Sequence, residues 1–423
     1  MPMRGKMNVC VNSEIGELQG VILHTPGEEV ENMTPANAHR ALYSDILNLD
    51  VAQKEYSQLS GVLSKITKTF QVCDLLSEVI SKPNAREDLI KTICKRENAM
   101  HLYDELTAIS PKELGLLLIK GVPLIKDTLT NFLSNDRYAL PPLYNFYFTR
   151  DASMSMYNKV LIGKMASSVR NRETIIMEAI FNHSDTFETS TMNPIASVMQ
   201  GDISIEGGDV LIARDDILLV GNSTRTTSQG IDFIINQICS SNLGKEFHVI
   251  VQQLPSKPES FIHLDMVFTC LDVDACMVFE PVILKPNNYQ TISIAIENNK
   301  VTKIRNVKNI PTALKALGMD LKPISCGGRN DMWTQEREQW HSGANFFAVG
   351  PGKVIGYARN TNTLEEMNKN GFSIIPAKDV VSHKVNLNDH NKYVITLDGS
   401  ELARGGGGAR CMTMPVNRKP VNW

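Results

Sequence analysis

Three stretches of the chain share one order of hydrophobic and polar positions. An apolar run ends near a glycine, a polar start follows, and apolar residues then recur at helical spacing. The runs are NKVLIG (158–163), DILLVG (216–221) and GKVIGY (352–357). The stripe after the second run is formed by Ile231, Ile234, Ile235 and Ile238. Each stretch therefore predicts a strand followed by an amphipathic helix.

A further strand follows two of these units, as HVIVQQL (248–254) and FSIIP (372–376), and HLDMVFTCLDVDACMVFE (263–280) repeats the order. A polar cluster precedes each unit. The clusters are Arg150–Asp151, Glu206–Asp209, His263–Asp265 and Glu336–Glu338. A strand–helix unit that carries its polar residues at the same end each time indicates radial repetition around a centre.

The two ends of the chain complete this pattern. RCMTMPV (410–416) lacks a partner strand of its own, and LQGVILHTPG (18–27) is a strand without a leading cluster. Pairing the two would close a ring, which predicts an α/β fold built from repeated blades.

Residues 74–142 break the repeat and are helical in pattern. Within them Ser110 can cap a helix, Pro111 suits the first helical position, and Glu113 completes a capping box. We expect a catalytic α/β unit formed by residues 1–73 and 143–423, with an inserted helical domain at 74–142.

Charge and composition limit the partners and the location expected for the protein. The 423 residues carry a net charge of -3, so we expect neither a nucleic-acid nor a membrane partner. The apolar run Gly115–Ile125 is too short to span a bilayer, and the first residues lack the apolar core of a signal peptide. Eight cysteines without a CxxC pair indicate free thiols and a cytoplasmic protein.

Four glycines precede Cys411 in RGGGGARCMTMP (404–415). Glycine lets the backbone curl closely around a ligand, which makes Cys411 a candidate nucleophile. Two other interpretations stay open. The glycines could form a turn before a buried strand, or an anion nest for phosphate, although no GK[ST] follows.

Four polar residues are candidates to accompany the thiol. His263 and Asp265 are two apart, so in a strand they would face one cavity, unless they lie on a surface edge. Asp151 closely follows an aromatic strand and could instead form a salt bridge with a neighbouring arginine. Glu206 precedes two glycines and could mark a hairpin corner. Their shared position in the repeat favours one common site.

A thiol, an imidazole and three carboxylates suit a particular substrate class. Carboxylates would oppose the negative charge that develops in acyl transfer. They would instead grip a planar guanidinium by its N–H groups while sulfur approaches the central carbon. A zinc site is disfavoured because His263 has no second His or Cys at ligand spacing.

At this point the sequence resembles the arginine deiminase family of guanidine-modifying enzymes over essentially its whole length. The matching motifs are LHTPG (23–27), LYSDIL (42–47), FTRD (148–151), EGGDV (206–210), HLD (263–265), EREQW (336–340) and CMTMP (411–415). The resemblance implies a five-bladed α/β propeller with an inserted helical domain. It also implies hydrolysis of L-arginine to L-citrulline and ammonia with no metal or organic cofactor, and it suggests a homo-oligomer.

The resemblance also implies the role of each residue. Cys411 would form a covalent amidino-thioether, and His263 would protonate the departing ammonia and then activate water. Asp151 and Asp265 would clamp the guanidinium, and Glu206 would support His263. The remaining substrate contacts would come from Arg170 and Arg225 to the α-carboxylate, Asn145 beside them, Phe148 against the aliphatic stem, and Gly405 in the glycine loop.

One position departs from the family. The family usually reads Arg-Gly-Arg-Gly-Gly before the cysteine, and here Gly406 replaces the second arginine. Arg410 could substitute in part. The alternatives are an amidinotransferase, a methylarginine hydrolase, an agmatine hydrolase and a catalytically silent arginine-binding protein. Paired Arg170 and Arg225 argue against agmatine, which has no carboxylate.

Overall fold

A computed structural model gives the structure of the chain. It describes residues 5–34, 45–196, 202–241, 245–329 and 331–423, so residues 42–44 of the LYSDIL motif lie outside the described residues. The described part has a mixed α/β fold in which five sheets contain three or more strands. In those ranges no helix combines the length and the apolar character that a bilayer crossing requires.

The five sheets share one strand order. In each, a first strand runs antiparallel to a second, and the second runs parallel to a third. From first to third strand the sheets are Met414–Arg418, Leu18–Leu23 and Lys68–Gln71; Ser153–Met156, Lys159–Ile162 and Thr191–Met192; Val210–Arg214, Ile217–Asn222 and Phe247–Gln253; Phe268–Cys270, Ala275–Val278 and Lys322–Ser325; and Phe347–Gly350, Lys353–Tyr357 and Tyr393–Leu397.

Seven further strands extend this frame in the described residues. Thr291–Glu297 and Lys300–Val307 widen the third sheet, and Ser373–Pro376 widens the fifth. Two short pairs complete the set: Met7–Asn8 with Phe187–Glu188, and Val122–Pro123 with Tyr138–Leu140.

The three strand–helix units predicted from the sequence are confirmed. Their helices are Asn171–His183, Ser228–Ser240 and Thr361–Lys369. The second begins at a threonine cap, since the side chain of Thr227 accepts a hydrogen bond from the Gly230 backbone N–H at 3.2 Å. The third ends before Gly371, whose φ of 88° is the left-handed conformation that glycine adopts readily.

The predicted pairing of the two ends of the chain is also confirmed. Leu18–Leu23 runs antiparallel to Met414–Arg418, with Val21 opposite Pro415 and Ile22 opposite Met414. Both strands are largely buried, so apolar contact and the hydrogen-bond ladder hold them together. The pairing fixes the strand that directly follows Cys411.

Helices dominate the segment predicted as an insertion. They are Val72–Ile80, Pro83–Arg96, Tyr103–Ala108, Pro111–Lys120 and Leu129–Leu133. The Ser110 side chain caps the fourth of them by accepting from the Glu113 backbone N–H at 3.4 Å. Leu76 and Ile90 of these helices share a hydrophobic cluster with Val160 and Ile180 of the first strand–helix unit. The division into two domains stays a prediction.

The other helices lie between strands, either of one sheet or of two successive sheets. They are Glu28–Glu31, Leu49–Ile66, Thr149–Ala152, Glu280–Ile283, Ile310–Ala316, Met332–Trp340 and Ala377–Val381.

Two of these helices change what the sequence predicted. The aromatic stretch before Asp151 is not a strand, because residues 144–147 form turns and Asp151 lies in Thr149–Ala152. Glu336–Glu338 lies within Met332–Trp340, where Glu338 binds the backbone N–H groups of Asn362 and Thr363.

Candidate active site

Each of the five sheets places polar side chains just ahead of its first strand. These residues lie between two positions (Asp151 before Ser153) and five positions (His263 before Phe268) ahead of it. In chain order they are Asp151, Glu206, His263 with Asp265, Asn345 and Cys411. Contacts join these side chains across sheets, as between His263 and Glu206 (3.0 Å) and between Cys411 and Asn345 (3.2 Å).

Four of these side chains, those of Asp151, Glu206, His263 and Cys411, line one small cavity of about 30 Å³, which has room for about two water molecules. All the site residues predicted from the sequence line it except Asp265. The lining is Asn145, Phe148, Asp151, Arg170, Glu206, Arg225, Ile262, His263, Gly405, Gly406, Gly407 and Cys411. A wider cavity of about 290 Å³ adjoins it and shares Arg225, Ile262, Gly405 and Gly406.

The prediction that His263 and Asp265 share a strand is wrong. His263 is extended (φ -138°, ψ 160°), Asp265 lies in the 3₁₀ turn Leu264–Met266, and the strand begins only at Phe268. The turn rotates the second side chain relative to the first. His263 therefore lines the cavity, while Asp265 contacts the thiol of Cys411, which also lines it.

The imidazole of His263 is fixed by acids. Its Nε2 lies 3.0 Å from Glu206 Oε2, and its Nδ1 lies 3.8 Å from Asp151 Oδ1. Burial alone would lower the pKa of His263, but the charge of Asp151 and the hydrogen bond with Glu206 raise it to about 9. His263 is therefore a proton donor at neutral pH.

Two residues next to Glu206 hold the segment of His263 in place. Asp209 Oδ1 accepts from the Leu264 backbone N–H at 2.8 Å. A Cβ atom on Gly208 would lie 2.3 Å from His263 Nδ1, so only glycine lets the ring approach this backbone. The EGGD sequence thus positions the imidazole as well as the carboxylate.

The Cys411 thiol is buried among acceptors and one amide. Its Sγ lies 3.6 Å from Asp265 Oδ2, to which the thiol donates, and the Asn345 Nδ2 donates to Sγ at 3.2 Å. Burial, with the charges of Asp265 and Asp151, raises the pKa of Cys411 well above its ordinary value. A bound cation would oppose the charges of both acids and favour the thiolate.

This raised pKa predicts how Cys411 reacts with iodoacetamide. The thiolate fraction of a group below its pKa rises tenfold for each pH unit, and only the thiolate is alkylated. We expect the rate of Cys411 alkylation, followed by mass spectrometry, to keep rising between pH 7 and pH 9. The thiol of free cysteine, with a pKa of about 8.5, provides the reference curve. If the alkylation rate of Cys411 reached its plateau at a lower pH than the rate of free cysteine, the raised pKa of Cys411 would be contradicted.

Arginine side chains hold both candidate clamp carboxylates. Arg170 Nη1 binds Asp151 Oδ2 at 2.8 Å and its Nη2 binds Glu173, while Arg410 Nη1 binds Asp265 Oδ2 at 2.9 Å. The second oxygen of each aspartate, Oδ1, is buried without a hydrogen-bond partner among the described residues. Each clamp carboxylate thus keeps one acceptor for another N–H donor.

Comparison with known proteins identifies the family. The sequence model of the family named arginine deiminase matches residues 39–418. The chain belongs to this family. Arginine deiminases of Treponema denticola and Bacillus cereus are each 34% identical to it, over 98% of this chain and 99% and 100% of theirs. That of Borrelia garinii is 30% identical over 99% of this chain and all of its own length.

Solved structures of low identity share the fold of this arginine deiminase family member. One is the N-terminal domain of ArgZ, an arginine dihydrolase from cyanobacteria, bound to product. It is 13% identical, with a TM-score of 0.52 over 94% of this chain and 97% of that one. Another is SxtG, an amidinotransferase from Microseira wollei, which is 12% identical, with a TM-score of 0.53 over 98% of both chains.

The glycine loop of this family member has two positions that tolerate only glycine. A Cβ atom on Gly407 would lie 2.4 Å from the Phe148 ring, and one on Gly408 would lie 2.6 Å from Asn345 Oδ1. Gly406, where the family usually has arginine, differs: a Cβ there would meet nothing within 4 Å, although its φ is 83°. The missing arginine therefore leaves open space beside the cavity.

Asn345, Arg410 and Glu14 are site residues that the sequence analysis missed or undervalued. Asn345 Oδ1 accepts from the backbone N–H groups of Arg410 (3.0 Å) and Cys411 (3.3 Å). Glu14 binds Arg410 through Nε at 2.9 Å. The position of Asn345 two residues before Phe347 could have identified it, because Asp151 stands at the same distance from its own strand.

Three of the site residues also have the spacing of metal ligands. The nearest donor atoms of Asp151, Glu206 and His263 all lie within 4.8 Å of one another. Arg170 and the protonated His263 already supply positive charge to these acids. These two cations would repel a metal ion bound at the same atoms.

Proposed function

We propose that the chain is an arginine deiminase that hydrolyses L-arginine to L-citrulline and ammonia through a covalent intermediate on Cys411. One observation carries this proposal: two buried carboxylate oxygens beside a buried thiol, Asp151 Oδ1 and Asp265 Oδ1, have no hydrogen-bond partner within the part of the chain that the structure describes. Unpaired buried acceptors are costly unless a ligand satisfies them. A guanidinium has N–H groups along two edges and would satisfy both.

The first half of the reaction would join sulfur to carbon. The positive substrate favours the thiolate, which adds to the guanidinium carbon and forms a tetrahedral C–S adduct. His263 then gives its proton to the departing nitrogen, the C–N bond breaks, and ammonia leaves. The Glu206 hydrogen bond at 3.0 Å holds the imidazole for this transfer.

The second half would reverse the role of His263. The imidazole, now neutral, takes a proton from water, and the resulting hydroxide attacks the amidino carbon. The C–S bond breaks, sulfur leaves as thiolate, and the hydroxyl proton passes to the solvent, which leaves neutral citrulline. Arg225 near the opening and Arg170 in the wall would orient the α-carboxylate, with Asn145, Phe148 and Gly405 completing the contacts.

We also propose that the five sheets are the blades of a five-bladed propeller with the cavity at its axis. The shared strand order supports this, as does the contribution of each sheet to the site. Residues 74–142 would form the inserted helical domain. An arginine-sized ligand needs more room than 30 Å³, so the loop of Gly405–Gly407 would move for entry.

The function is tested by incubating the purified chain with L-arginine and measuring citrulline and ammonia. We expect the two products in equal amounts. A parallel reaction with added glycine tests amidino transfer, which would yield ornithine and a new guanidino compound in place of ammonia. Arginine binding by calorimetry without either product would overturn the hydrolase assignment and indicate a binding protein.

Asp151→Asn is expected to weaken capture of the guanidinium without unfolding the protein. The amide keeps the shape but removes the charge, and loss of one partner of a buried charged pair costs about 2–4 kcal/mol. We expect kcat/KM for arginine to fall ~10²–10³-fold, which steady-state kinetics would measure.

Glu338→Gln is the matched control for this variant. Glu338 is also a buried carboxylate ahead of a first strand, but it binds Asn362 and Thr363 and does not line the cavity. We expect this control to lose thermal stability and keep kcat/KM. Unchanged kinetics in Asp151→Asn would exclude the clamp role.

A further inference from the structure

A second cluster of a thiol, an imidazole and a carboxylate lies outside the cavity. Cys73 Sγ lies 3.8 Å from His24 Nδ1, and His24 Nε2 lies 3.1 Å from Glu29 Oε1. Three elements bring them together: Cys73 is the second residue of the helix Val72–Ile80, His24 follows the strand Leu18–Leu23, and Glu29 lies in Glu28–Glu31. This is the order of nucleophile, base and orienting acid.

The imidazole in this cluster is rigidly held. His24 is 2% exposed, and its ring lies 5.1 Å from the ring of Phe146. Its backbone N–H donates to the Tyr56 hydroxyl at 3.1 Å, and Glu29 Oε1 also accepts from the Gly27 backbone N–H at 2.7 Å. The ring can therefore present Nδ1 only toward Cys73.

The charges in the cluster favour a protonated imidazole. Burial alone would lower the pKa of His24, but the hydrogen bonds with Cys73 and Glu29 raise it to about 10. The other titratable groups nearby do not reverse this rise in the pKa of His24. Burial raises the pKa of Tyr56 and keeps it neutral, and Glu28 is paired with Lys120 at 3.2 Å. An imidazolium next to a sulfur at a helix start is an environment that activates thiols.

Cys73 also differs from the other thiols in exposure. Of the eight cysteines, all of which lie in the described ranges, Cys73 is the exposed one, and the others are buried or half-buried. None of the three cluster residues lines the cavity of Cys411. A reagent in solution therefore reaches Cys73 without passing through the active site.

We propose that Cys73, activated by His24 and Glu29, is a modification site that exchanges with small-molecule disulfides. The Cys73 sulfur attacks one sulfur of the disulfide, whose S–S bond breaks. A mixed disulfide forms on Cys73, and the other half leaves as a thiolate that takes a proton from the solvent. No separate oxidant is needed, because the small disulfide itself is reduced.

Oxidised glutathione tests this proposal on the intact chain. The protein is incubated at pH 7, quenched at intervals, and digested, and mass spectrometry measures the glutathione adduct at each cysteine. We expect Cys73 to be modified at least tenfold faster than Cys10 and Cys239, the two half-buried thiols. Cys10 is the matched control, because its sulfur accepts from Asn12 at 3.6 Å instead of contacting an imidazole. Equal rates at Cys73 and Cys10 would overturn the proposal.

Two variants separate activation from simple exposure. His24→Gln should lower the rate at Cys73 at least tenfold and leave the rate at Cys10 unchanged. Glu29→Gln should lower it less, since the imidazole stays in place, and it serves as the test if His24→Gln does not fold. A wild-type rate at Cys73 in either folded variant would show that exposure alone explains the reactivity and would overturn the role of the cluster.

Discussion

Cys411→Ala is expected to reduce citrulline formation by ~10⁴-fold or more, because no other group can form the covalent intermediate. The thiol is 3% exposed and lies between the Asp265 carboxylate and the Asn345 amide. Alanine removes the sulfur and keeps the small side chain, so the buried loop should retain its shape. Arginine should still bind, because both aspartates remain.

The measurement combines ammonia release, arginine binding and thermal unfolding of the variant. Cys94→Ala is the matched control, since Cys94 is also fully buried but lies in the helix Pro83–Arg96. It should keep wild-type turnover with some loss of stability from the small cavity. Ammonia release by Cys411→Ala at a rate near that of wild type would refute the nucleophile assignment.

His263→Gln is expected to lower kcat by ~10³-fold, because one side chain serves as the acid in one step and the base in the next. Glutamine can still hydrogen-bond to Glu206, so the pocket should stay intact. It cannot protonate the leaving nitrogen or accept a proton from water. Both halves of the reaction should therefore slow, and the KM for arginine should change less than kcat.

Rapid-quench kinetics with mass spectrometry would follow the fate of Cys411 in this variant. A mass increase on Cys411 that decays slowly would show hydrolysis as the slow step. His248→Gln provides the comparison, because His248 lies on the third sheet beside Glu246, at 3.3 Å, and not at the cavity. A kcat for His263→Gln equal to that of His248→Gln would exclude the acid–base role.

Hydrophobic periodicity predicted the repeated part of the fold well. Strand Ile217–Asn222 and helix Ser228–Ser240 follow directly from the apolar runs that the sequence shows, because burial of an apolar face determines both elements. The pairing of Leu18–Leu23 with Met414–Arg418 was predictable from topology, since each was a strand that needed a partner.

Side-chain direction in irregular segments was not predictable. The period of two that applies to strands does not apply to the 3₁₀ turn Leu264–Met266, so the shared strand face predicted for His263 and Asp265 was wrong. Arg410 binds Glu14, which is 396 positions away along the chain. No local pattern encodes such a pair, because only the folded chain brings the two side chains together.

The pairing of Leu18–Leu23 with Met414–Arg418 has a consequence for biosynthesis. During translation the first of these strands leaves the ribosome long before its antiparallel neighbour has been made. Until then one hydrogen-bonding edge of Leu18–Leu23 has no partner strand, and Cys411, which precedes Met414–Arg418, has not yet been synthesised. The middle sheets of the nascent chain can therefore fold early. The active site can be completed only when Met414–Arg418 has paired with Leu18–Leu23.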